Sequence, residues 1–561
     1  MCLTQCVNCG VRMGPAASVV IVVAALLTWA GKTCAEETAG PGKGEVLYNG
    51  IVLPSPWPPA DRTPTREPMR VPYLESPPEI IPIDVGRQLF VDDFLVEQTD
   101  LRRTYHAAEY FPENPILKPD RPWEQDTTSQ DHPAPTAMVF SDGVWFDPKD
   151  DLFKMWYMGG YVKSTCYAVS HDGITWEKPA LDVVPGTNVV QAEKRDSNAV
   201  WLDLKEPDPQ RRFKTFVYTL AQEGALNIYF SPDGIHWTDS GVRSGPVGDR
   251  TTAFFNPFRN VWVYSIRDYE AGGIGRFRRY WEHRDVLAGA EWQSGQPPFW
   301  VGADRLDPPR KDLRTPCELY NLDAAAYESV LIGLFSIWRG QPKDRAKPNE
   351  LCVGFSRDGF HWYRPVHDAF IPVSEHYGDW NWGNIQSAGG CCLVVGDKLY
   401  LYVSGRQGVA GSPASGVCST GLATLRRDGF ASMDAGPEGG TLTTRPVRFS
   451  GRYLFANMDA PHGELRVEVL SADDQVIAPY TFEACAPVRD DSTHRRIRWE
   501  TAEDLAAVVG QPVRFRFRLR NGRLFAFWVS PEASGASHGY MAAGGPGFTG
   551  PTDTVGGAPT D

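Results

Sequence analysis

The chain has 561 residues, 69 acidic against 56 basic side chains and a formal net charge of −13. That balance argues against nucleic acid and anionic membrane surfaces as partners. The length exceeds one ordinary domain, and 54 Gly, 46 Pro and 12% aromatic residues suit many short strands joined by turns.

The first stretch, residues 1–35, reads as a secretory signal. Residues 16–30 are nearly all apolar, and Thr33-Cys34-Ala35 offers a small-residue cleavage site. The expected location is secreted or periplasmic, with no membrane contact after cleavage; an uncleaved N-terminal anchor is the alternative. Four of the 11 cysteines fall in this leader. The odd number left is no disulfide scaffold, with room for one or two bridges at most. Residues 36–84 are rich in Pro, Gly and Arg and read as a linker or an N-terminal arm.

A repeat then sets the frame. Ser170-His-Asp-Gly-Ile-Thr-Trp176 returns as Ser231-Pro-Asp-Gly-Ile-His-Trp237 and as Ser356-Arg-Asp-Gly-Phe-His-Trp362. The first two copies begin 61 residues apart and the next two 125 apart, so a degenerate copy belongs between them. Arg284-Asp285 with Trp292 sits at that place, and Arg427-Asp-Gly-Phe430 is a worn last copy. A fixed period in a β-rich chain predicts propeller blades, with Asp-Gly supplying a turn rather than chemistry. The expected fold is all-β: a five-bladed β-propeller over residues 85–436, then a C-terminal β-sandwich over 437–530. The sandwich rests on alternating runs such as Val513-Arg-Phe-Arg-Phe-Arg-Leu519, whose Arg514, Arg516 and Arg518 read as a solvated face. Residues 531–561, rich in Gly, Pro, Ser and Thr, are expected to be disordered.

In a propeller the innermost strand of each blade lines the axis, so polar residues near its start converge. Aligning the blades places Asp142, Asp196, Asp249 and Glu318 at the heads of four successive blades. Asp92 or Asp93 would join them if the early strand closes the ring. Glycoside hydrolysis needs two facing carboxyl groups, one protonated as acid and one ionised as base or nucleophile. Arg250, Arg267, Arg339 and Arg406 lie beside the acids or after second strands, and Trp338 and Trp382 lie in loops where they could stack on sugar faces. Pairing of acids with arginines, and ordinary packing of the tryptophans, is the competing reading.

With its repeat turns, the Asn114-Pro-Ile-Leu117 stretch and the trailing alternating strands, the chain resembles the five-bladed propeller glycosidases of glycoside hydrolase families 32, 43, 68 and 130. In architecture it is most similar to family 32. Ser141-Asp142-Gly143 stands near the place of that family's Asn-Asp-Pro-Asn-Gly, Arg195-Asp196-Ser197 resembles its Arg-Asp-Pro, and Cys317-Glu318 is a reversed echo of its Glu-Cys. The resemblance implies Asp142 as base or nucleophile, Asp196 as orienting acid and Glu318 as proton donor, with Asp249 as the substitute. It implies a carbohydrate substrate, no redox cofactor and no protein metal motif, though an axial calcium ion would fit such a ring. Two rivals stand beside the glycosidase: a non-catalytic carbohydrate-binding propeller, and a family 130-like phosphorylase with the arginines gathered around phosphate. Asp142 and Glu318 are expected at one mouth; each buried in an arginine pair would favour the binding module.

Overall fold

The computed structural model describes residues 44–59, 63–125, 133–219, 221 and 224–557. Residues 1–35, read from the sequence as a signal, lie outside them. The protein is all-β: the one α-helix among the described residues is the four-residue Pro72–Glu75.

Five antiparallel sheets follow one another along the chain. Each has a core of three strands in which the middle strand pairs with the other two. In the first sheet Val144–Asp147 pairs with Leu152–Gly159, which pairs with Ser164–Ser170. The following sheets begin at Arg195–Leu202, Thr252–Asn256, Glu318–Glu328 and Asn384–Ser387. These first strands contact one another in sequence, and the fifth sheet contacts Ala137–Met138 of the first. The run is also tied at its ends. Glu109–Tyr110, ahead of the first sheet, forms the outer strand of the fifth through Ala423↔Tyr110, and Leu117 bridges Thr420. Asn114-Pro-Ile-Leu117 is therefore a clamp on the fifth sheet.

The repeated motif closes the third strand of the sheets. Ser170 Oγ accepts from the Gly173 N–H at 2.8 Å, and Asp172 Oδ1 accepts from the Ile174 and Thr175 N–H groups at 2.8 and 2.7 Å. Ser231/Asp233 and Ser356/Asp358 repeat the pattern. The degenerate copy holds as well: Asp285 Oδ1 accepts from Leu287 and Ala288 at 2.9 and 2.8 Å, and Trp292 is buried. Glycine is required because φ is +74° to +84° at Gly173, Gly234 and Gly359. At Gly234 a Cβ would also stand 2.4 Å from Cζ2 of the buried Trp156. Gly234→Ala is expected to cost about 1–3 kcal/mol. Gly186→Ala, at φ +79° with nothing within 4 Å, should cost less; equal shifts in denaturant midpoint would contradict this packing.

Two six-stranded sheets complete the molecule, and their apolar faces share a second core. Phe515 and Phe517 of one meet Phe527 of the other at ring distances of 5.7 and 5.2 Å. Val513–Arg520 alternates as expected, with Phe inward and Arg outward. The early strands belong here too. Gln88–Leu89 pairs with Gly522–Ser530, Val96–Thr99 with Gly440–Thr444, and Arg102–Tyr105 with Ala431–Ala435. This corrects the placement of residues 85–105 in the five-sheet run. Asp92 heads no axis; it is fully buried against Arg357 of the third motif copy at 2.8 Å.

The tail is the second correction. Residues 531–557 are ordered against the far ends of the first strands. Tyr540–Met541 pairs with Tyr327 and Glu328, Ala542 donates to Ala326 O, and Ala543 O accepts from Phe146. Met541 and Ala543 are buried in the main core and Tyr540 and Phe548 pack against it, so a few apolar residues and backbone hydrogen bonds order a segment whose composition reads as disordered. All seven cysteines in residues 44–561 are buried and unpaired.

Candidate functional site

The starts of the first strands gather the predicted residues at one end of the five-sheet run. They form two layers. The deeper layer is closed. Asp142 has no exposed surface; Arg195 donates to its two oxygens at 2.6 and 3.1 Å and Asn198 donates at 3.1 Å. Burial pushes its carboxyl up to about 6, against the pull of Arg195 and Asn198. Asp323 is its counterpart in the fourth sheet. It accepts from Ser387 Oγ at 2.5 Å, Asn321 Nδ2 at 2.8 Å and Ser141 Oγ at 3.2 Å, joining the first, fourth and fifth sheets. Burial raises this carboxyl too. Arg278 crosses from the third sheet, donating to Arg250 O at 2.7 Å and to Tyr320 O. Both Asp142 oxygens are already taken by Arg195 and Asn198, so this carboxylate braces strands. Asp142 is thus misplaced as a base or nucleophile.

The outer layer is accessible. Asp196 is half-buried, and Asp249 keeps 43% of its side-chain surface. Burial raises Asp196 first, and Asp249 beside it raises it further, against Arg250, Arg406 and Arg195. Asp249 pairs with Arg267 at 3.4 Å. Glu318 receives the Arg276 guanidinium at 2.5 Å and its backbone N–H at 3.2 Å. That guanidinium lies over the rings of Tyr320 and Trp338 at 5.4 and 5.3 Å. Lys347 Nζ donates to the Tyr320 hydroxyl at 2.7 Å. Burial works to raise that phenol, yet Lys347 and Arg406 bring it below its ordinary value. Arg406 donates to the Tyr161 hydroxyl at 3.2 Å and Ser415 Oγ at 3.1 Å.

The structure therefore brings together Asp196, Asp249, Arg250, Arg267 and Arg406, with Glu318 and Trp338 adjoining through Tyr320 and Arg276. It does not bring in Arg339, which is enclosed by Glu350, Pro308 O and His367 O. Trp382 sits under Arg345 at 4.5 Å and against Tyr377. Asp323, Tyr320 and Lys347 were missed. A register shift between Leu319 and Asn321 breaks the period of two, so counting from Glu318 loses Asp323. Lys347 lies in a loop with no motif.

Among the described residues one group could offer three ligand atoms to a metal, Asp304, Asp307 and His367. Cys317, directly before the first strand Glu318–Glu328, reaches Asp307 O at 3.7 Å, and Arg364 already pairs with both oxygens of Asp307. A guanidinium on that carboxylate opposes a cation there.

No known family model and no curated protein matches the chain. Solved structures do. An N-acetylgalactosamine deacetylase from F. plautii, in complex with blood group B trisaccharide, is similar at 13% identity and TM-score 0.36, over 55% of this chain and 96% of that one. A thermostable family-43 glycoside hydrolase is similar at 10% and 0.36, over 52% and 91%. A glycosyl hydrolase from Bacteroides ovatus is similar at 12% and 0.36, over 62% and 99%. Family 43 is among the families that the repeat turns resemble, but likenesses at this level fix neither the fold nor the activity of this chain.

Proposed function

We propose that the protein is an exported, carbohydrate-active enzyme that cleaves glycosidic bonds at the outer layer of this site, with the five sheets as blades around an axis and the two six-stranded sheets as a sandwich beside them. The observation that carries the reading is the pair Asp196 and Asp249. Two half-buried acids from neighbouring strand starts stand beside each other, and one of them is held toward its protonated form. Two neighbouring carboxyl groups, one as acid and one as base or nucleophile, are what acid/base cleavage of an acetal needs. Asp196 takes the role of proton donor. Asp249, in its ion pair with Arg267, takes that of base or nucleophile. Tyr320 and Trp338, each 8% exposed with the Arg276 guanidinium over their rings, back the site from behind. No redox step is required.

A second reading has its own observation. Asp142 and Glu318 each lie in an arginine pair, which favours a carbohydrate-binding module without turnover. A panel of plant and algal oligosaccharides separates the two. Asp249→Asn is expected to retain binding by calorimetry and to lose reducing-sugar release, whereas Asp142→Asn should chiefly lower the melting temperature. Binding by wild type with no release from any oligosaccharide would leave the binding module.

A further inference from the structure

The overall charge of −13 conceals a local surplus of cations at this site. Arg195, Arg267 and Arg276 each have a carboxylate partner. Arg250, Arg406 and Lys347 form no ion pair among the described residues. Arg250 is 1% exposed; its Nη2 donates to Ser141 Oγ at 3.0 Å, while Nε and Nη1 have no partner. Asp323, Asp196 and Asp249 act on it only at longer range. Arg406 donates to two neutral hydroxyls and its Nε has no partner; Lys347 donates to Tyr320. The guanidiniums of Arg250 and Arg406 share one ring, Phe140, at 3.5 and 5.9 Å from its centroid. Phe140 and Arg250 also hold φ values of +47° and +59°, a conformation that bulky side chains avoid and that persists where function demands it.

Buried guanidinium nitrogens without acceptors are costly unless something anionic completes them. We infer that Arg250, Arg406 and Lys347 form a subsite for an anionic substituent of the saccharide, a uronate carboxylate or a sulfate ester. The inference rests on the carbohydrate reading and narrows its substrate class to acidic glycans. Planar guanidinium groups suit both oxyanions, since each offers two oxygens to a pair of parallel N–H bonds.

The test is calorimetric binding of the full chain to a uronate oligosaccharide, a sulfated oligosaccharide, their neutral counterparts and inorganic phosphate. One of the acidic saccharides is expected to bind about tenfold or more tightly than its neutral counterpart, and the arm that does so identifies carboxylate or sulfate. The preference should shrink with added salt and disappear in Arg406→Gln and in Lys347→Met. Lys347 is half-buried in a loop, so that variant keeps the test decisive if Arg406→Gln fails to fold. Equal affinity for acidic and neutral saccharides would overturn the subsite and leave the carbohydrate reading standing. Binding of phosphate with no preference among saccharides would also overturn it, making phosphate a co-substrate. No binding of any saccharide would remove the reading on which it rests.

Discussion

Asp196→Asn is expected to lower glycoside cleavage by about 10²–10⁴-fold, with the fold intact. The side chain is half-buried at the start of Arg195–Leu202, and among the described residues its carboxyl makes no hydrogen bond or ion pair that braces a strand. The amide keeps the shape and loses the proton. The pH dependence follows from the direction of its shift. Burial and Asp249 raise its pKa, so the active protonated form persists to higher pH than an ordinary aspartate would allow. Turnover falls as pH rises through that value. Arg406 pulls the other way, so in Arg406→Gln the descending limb of the residual activity should move to higher pH. An Asp196→Asn protein with wild-type turnover, or a limb that moves to lower pH in Arg406→Gln, would remove Asp196 as the acid.

The largest expected effect on stability lies far from this chemistry, at the worn motif copy. Asp428 is fully buried, accepting from Arg87 Nη1 at 2.9 Å, Tyr327 OH at 2.6 Å and Asn457 Nδ2 at 2.9 Å. Arg427 reaches Glu328 at 3.1 Å and Asp553 of the tail at 3.2 Å. Arg87 also lies over the Trp528 ring at 4.1 Å. The N-terminal segment, the fourth and fifth sheets, the six-stranded sheets and the tail thus meet in one buried network of two arginines and three carboxylates. Removing one partner strands a charge, so Asp428→Ala should cost about 3–5 kcal/mol of unfolding free energy. Deleting residues 531–561 should also destabilise, by removing Asp553 and uncovering Trp145, Trp201 and Phe255. The exposed turn residue Asp172 is the control, with an expected loss of about 1 kcal/mol. Burial works to raise Asp428 and Asp553, but Arg87 and Arg427 outweigh it and hold both low. Folded pKa values below the unfolded ones give stability that is present above the ordinary carboxylate range and lost as pH falls through the folded values. Glu328 shifts the other way, raised by burial, which blunts the loss. Urea midpoints for Asp428→Ala and Asp172→Ala that coincide would contradict this account.

The same residues tell how far a sequence could be read here. The Asp-Gly-Trp spacing located five sheets and placed a degenerate turn at Asp285, because an Asx turn depends on local hydrogen bonds alone. Spacing also put Asp142, Asp196, Asp249 and Glu318 at or just before the starts of first strands. It could not separate Asp142 from Asp196. Both head first strands, and only the three-dimensional approach of Arg195 and Asn198 encloses one and leaves the other accessible. Lys347, Tyr161 and Phe140 join the site through contacts from distant positions. The tail reads as disorder by composition because its order rests on a few core contacts, from Met541 and Ala543, and on backbone hydrogen bonds to other strands.

Hydrolysis of a glycosidic bond, with Asp196 as acid, is the proposed chemistry of this site. The direct measurement is mass spectrometry of products formed from an acidic oligosaccharide in H₂¹⁸O, with and without inorganic phosphate. The expected product is a shorter saccharide with one ¹⁸O at its new reducing end, unaffected by phosphate and absent with Asp196→Asn. Intact oligosaccharide recovered in full, or a sugar phosphate that forms only when phosphate is added, would contradict it.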